Sequence, residues 1–76
     1  MGSGSRTVFA REVTDGESSR RLEVNKLSND GWDVTERHDD VLVHEKTYEN
    51  WHRVELELTR FSAEAAKLKR SGWSDR

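Results

Sequence analysis

The chain has 76 residues, of which 32% are hydrophobic and 37% charged, with no cysteine and no proline. An ordinary globular domain is ~45–50% apolar, so a single small domain with a thin core is expected, and disulfides, thiolate metal sites and cysteine nucleophiles are excluded. Thirteen basic against fifteen acidic residues leave a formal charge of −2, without the basic excess of a protein held to nucleic acid mainly by phosphate contacts.

Met1-Gly2-Ser3-Gly4-Ser5 reads as a flexible leader outside the fold, and residues 6–76 as one small α+β domain. The leader lacks the positive-then-apolar order of a secretory signal. The longest apolar run, Val41-Leu42-Val43, is far short of the ~20 residues that cross a bilayer. A soluble cytoplasmic protein without membrane association is expected.

Thr7 to Val13 is the first predicted strand. Residues 17–29 are then read as a helix, because Thr14 and Glu17 have capping-box spacing. The segment Leu27-Ser28-Asn29-Asp30-Gly31-Trp32 also repeats the Leu-to-Gly-Trp spacing of Leu68 to Trp73. A competing pattern is Arg21-Leu22-Glu23-Val24, which alternates like a strand and predicts a hairpin with residues 7–13 around Asp15-Gly16.

Three further strands follow at Trp32–Arg37, Val41–Lys46 and Arg53–Arg60, the last with Val54, Leu56 and Leu58 in strict alternation. With Asp39-Asp40 and Glu49-Asn50 as two-residue turns, Trp32, Val34, Val41, Val43, Val54, Leu56 and Leu58 share one face. Glu36 then faces Val43 and Leu56, and His44 points away from His38. The chain closes with a helix from Ser62, its N-cap, to Ser71. Gly72 supplies a left-handed C′ position and Trp73 packs back on Leu68 in a Schellman motif. The fold read here is a small antiparallel β-sheet packed on one face by one or two helices, in the order β-α-β-β-β-α. A five-stranded meander with a C-terminal helix is the alternative.

Catalysis is not expected. His38, His44 and His52 diverge in this register, so no metal site is predicted. Glu36 and Glu45 fall on the nominal core face, where a raised pKa would suit acid catalysis, but no nucleophile or phosphate loop accompanies them. No cofactor is implied. Association with another protein, including a homodimer, is the expected function, in a regulatory or accessory role. Leu42, Tyr48 and Trp51 are the candidate contacts, being apolar residues on the wet face. An edge strand would also accept a partner by backbone pairing. The alternative is single-stranded nucleic-acid binding through Lys46, Arg53, Arg60, Lys67, Lys69 and Arg70, beside Tyr48 and Trp51.

Overall fold

The computed structural model describes residues 6–28 and 30–76; the leader expected at residues 1–5 lies outside them. The elements are β1 (Arg6–Thr14), β2 (Ser19–Lys26), β3 (Trp32–His38), β4 (Val41–Tyr48), α1 (Trp51–Arg70) and β5 (Ser74–Asp75). The strands form one sheet in the order β4-β3-β2-β1-β5, and every pair is antiparallel. This is an α+β fold with a five-stranded sheet and one long helix, nearer the meander alternative than the order read first.

The helix expected over residues 17–29, of which residue 29 lies outside the described residues, is not formed; strand β2 (Ser19–Lys26) occupies most of that span. Thr14, which the expected capping box pairs with Glu17 to open a helix, instead closes a hairpin together with Asp15. The Asp15 carboxylate accepts from the N–H groups of Glu17 and Ser18 at 2.9 and 2.7 Å. The Thr14 hydroxyl donates to the Ser18 carbonyl at 2.7 Å, and Gly16 takes φ +98°. Such side-chain-to-backbone bonds favour a turn over helix initiation. Beyond the turn, Leu22 and Val24 both point into the core, fully buried, as the period of two requires.

The strand expected at Arg53–Arg60 is part of α1. Asn50 is the N-cap and accepts from the His52 N–H at 2.8 Å. The alternation of Val54, Leu56 and Leu58 is local. The longer stripe Val54, Leu58, Phe61, Ala65 and Leu68 has helical spacing, and it packs on the sheet while Leu56 stays exposed. A helical stripe buries five side chains in one direction; a strand ending at Arg60 would bury three. The C-terminus matches expectation: the Trp73 N–H donates to the Leu68 carbonyl at 3.1 Å and the Gly72 N–H to that of Lys69 at 3.2 Å.

The core lies between one sheet face and α1. Val13, Leu22, Val24 and Val34 meet Val54, Phe61 and Ala65 there. The opposite, outer face carries Glu12, Arg21, Glu23, Asp33, Thr35, Arg37 and Glu45, and among the described residues no helix lies over it. Asp39 and Asp40 both adopt positive φ, 56° and 68°, and join β3 to β4 as a two-residue turn between His38 and Val41. The register expected there holds only at its ends of the hairpin nearest the turn. Glu36 pairs with His44 and Arg37 with Leu42, so Val43 is an extra, bulged residue. The bulge reverses the expected parity along the rest of β4. It turns His44 and Lys46 toward the helix side and leaves Val41 and Val43 exposed.

Candidate protein-binding edge and groove

Among the described residues β4 is a sheet edge along its whole length, and the other edge is open along β1 except where β5 pairs with Val13 and Thr14. Alternate N–H and C=O groups of an edge strand point away from its neighbour, ready to pair. At the turn end of β4, Val41, Leu42 and Val43 are 62%, 44% and 51% exposed. Three consecutive exposed apolar residues on a free edge favour pairing with another chain.

Beside this edge, on the helix side, lies an open groove of about 230 Å³ lined by Lys46, Tyr48, Arg53, Leu56, Glu57 and Arg60. β4 supplies its wall through alternation, and α1 supplies Arg53, Leu56, Glu57 and Arg60 through successive turns. The Tyr48 ring carries the Lys46 ammonium 5.8 Å from its centroid. Neither Lys46 nor Arg53 has a carboxylate within ion-pair distance among the described residues.

The inner end of the groove is a fixed polar network. Arg60 donates to Glu36 at 2.8 Å and to Glu57 at 3.0 Å. The Tyr48 hydroxyl donates to Glu57 at 2.6 Å, and His38 Nε2 lies 2.9 Å from Glu36. His44 Nε2 is buried, 3.6 Å from Glu57. Burial pushes the Glu36 carboxyl up, but hydrogen bonds from Arg60 and His38 outweigh it and hold it below its usual value. Glu57 is likewise raised by burial and held low overall by Tyr48 and Arg60. Donation to Glu57 raises the Tyr48 hydroxyl. Two carboxyls held ionised are displaced in the direction opposite to that needed for a general acid at neutral pH. Glu45, expected beside Glu36, is on the outer face, where its contact with Asp33 raises its pKa.

The candidate contacts divide. Tyr48 and Trp51 lie together at one end of the sheet: Tyr48 pairs with Trp32, and the Trp51 ring lies 5.2 Å from that of Trp32. Leu42 is on the outer face opposite Arg37, about 20 Å along the strand at ~3.3 Å per residue. Trp73 packs against the core under Arg20. Of the candidate nucleic-acid contacts, Lys46 and Arg53 flank the groove. Arg60 is engaged by Glu36 and Glu57, and Lys69 by Asp75 at 2.6 Å. Lys67 and Arg70 are exposed near the other end of α1, about 20 Å or more from Arg53 at ~1.5 Å per residue. The six cations form no continuous track.

His38 and His44, expected on opposite faces, are both on the helix side, because the Val43 bulge shifts the register. His52 is on the exposed start of α1. No group of three His, Asp or Glu side chains converges as a metal site would among the described residues, and no described helix is long and apolar enough to cross a membrane. Val41, Val43, Leu56 and Glu57 were not among the expected contacts. Leu56 was detectable as the one leucine off the helical stripe, whereas the exposure of Val43 depends on a bulge that no local signal marks. Comparison with protein families, curated proteins and solved structures finds no match to this chain.

Proposed function

We propose that this chain is a non-catalytic protein-recognition module that accepts an extended segment of another polypeptide as a sixth strand along β4. The observation that carries the reading is the free edge of β4 with Val41, Leu42 and Val43 exposed on it. Backbone pairing supplies affinity in such a mode, and alternate side chains supply selectivity. The groove beside the edge receives one set of those side chains.

Selection from a displayed library of random octapeptides tests the reading. Enriched peptides should protect β4 amides from hydrogen exchange, and Val43→Lys should abolish their binding in a folded protein. Failure of any peptide to enrich, or protection confined to the outer face or the solvent side of α1, would contradict it. Sedimentation equilibrium separates self-association from capture of a different chain. Single-stranded nucleic-acid binding is the second reading, favoured by Lys46 and Arg53 beside the Tyr48 ring. It predicts oligothymidylate binding at low salt that weakens steeply as salt rises.

A further inference from the structure

We infer that the segment accepted by β4 belongs to a different polypeptide and is acidic on the side that faces α1. The inference rests on strand addition at β4 and specifies the chemistry of the occupant.

A strand paired with β4 sends alternate side chains to each sheet face. Those on the helix side enter the groove, where Lys46, Arg53 and Arg60 are set against one carboxylate, Glu57. Arg60 is already held by Glu36 and Glu57. Lys46 and Arg53 therefore remain as the cations available to a partner, one on the strand and one on the helix. An Asp or Glu of the incoming strand lies between them, at the cross-strand position where opposite charges attract and like charges repel. On the outer face the same strand passes Leu42, which favours an apolar residue there. The pattern that fits is an acidic residue alternating with an apolar one.

A second copy paired through β4 leaves the groove cations unanswered by its own strand. Two β4 strands related by a two-fold axis pair antiparallel, and residues on the same face must lie opposite one another. Centring the axis on any residue of β4 sets that residue against its own copy. The Glu45 and Lys46 axes oppose like charges directly. The helix-facing residues of β4 are Val41, His44, Lys46 and Tyr48, and none is an acid that answers Lys46.

The test uses fluorescein-labelled, end-capped octapeptides made of four Val-Glu, four Val-Ser or four Val-Lys repeats, titrated by anisotropy against the full chain. The Val-Glu peptide is expected to bind about tenfold tighter than the Val-Ser peptide, and the Val-Lys peptide most weakly. Lys46→Glu combined with Arg53→Glu should invert that order. Both side chains are exposed, and Lys46→Gln with Arg53→Gln, expected to remove the preference, provides a milder pair should the reversal unfold the chain. Equal binding of the Val-Glu and Val-Ser peptides, with β4 amides protected by both, would overturn the acidic preference and leave strand addition standing. Val-Glu peptides N-methylated at every Val, or at every Glu, separate the other case. If both bind as tightly as the parent, the contact is electrostatic and strand addition itself fails. Binding of no peptide, tighter binding of oligothymidylate, or a stable dimer joined through β4 would each overturn the inference.

Discussion

The Arg60 guanidinium on the helix meets the Glu36 carboxylate on the sheet at 2.8 Å, and Glu36 is only 4% exposed. A carboxylate so buried is tolerable only while its partners are in place. The contact ties α1 to β3 and fixes the inner wall of the groove. Because Arg60 also holds Glu57, to which Tyr48 donates, the groove wall depends on a single side chain.

Arg60→Ala should therefore destabilise the fold by about 2 kcal/mol, the cost of leaving a buried acceptor without its charged donor. That figure already allows for screening of the half-exposed guanidinium. Urea denaturation measures it. A change below about 0.5 kcal/mol, the range of an ordinary surface substitution, would show that Arg60 does not tie the layers together.

Glu36 and Glu57 are both held below their usual carboxyl value of 4.5 in the folded chain. The unfolded state binds protons more readily at these sites, so their stabilisation is fully present above the unfolded pKa. It is lost as pH falls through the lower folded values. Thermal midpoints recorded across that acid range should decline steeply for the parent and less steeply for Glu36→Gln. Parallel declines would contradict the assignment.

Phe61 is 1% exposed at the centre of the helical stripe, whereas Leu56 is 56% exposed off it. Phe61→Ala should cost about 3–5 kcal/mol through lost burial and a residual cavity. Leu56→Ser should change stability by no more than about 0.5 kcal/mol. Comparable losses at the two positions would mean that the helix is rotated.

Gly72 closes α1 at φ +106°, with nothing near the position a Cβ would take. Gly72→Ala should cost about 1 kcal/mol or more from backbone strain alone, while Gly72→Asn should cost less. Denaturation of the two variants checks the order. Equal stability of all three chains would remove the left-handed cap.

Legibility in the sequence followed the range of the interactions. The Schellman cap at Leu68 to Trp73 and the Asp39-Asp40 turn are local, and both stood. The first Leu-to-Gly-Trp segment has the same spacing but closes a strand connection, with the Leu27 N–H donating to the Gly31 carbonyl at 2.8 Å. Spacing alone does not distinguish a helix end from a tight loop. At Val54 to Leu58 two periods overlap, and the stripe continuing through Phe61, Ala65 and Leu68 decides between them. The bulge at Val43 was hidden for a different reason. It depends on how β4 meets β3, and it moves His44 and Lys46 to the groove and apolar side chains to the edge. The site was consequently only partly legible: Tyr48, Lys46 and Arg53 were recognisable as residue types, but their convergence with Leu56 and Glu57 required the helix to begin at Trp51.

All that is proposed for this chain depends on β4 taking a partner strand along its free edge. Hydrogen exchange of β4 amides, measured with and without the four-repeat Val-Glu peptide at saturation, tests it most directly. Exchange should slow at alternate residues between Val41 and Tyr48 and stay unchanged in β1. Slowing that is absent from β4, or equal on both sheet edges, would contradict it.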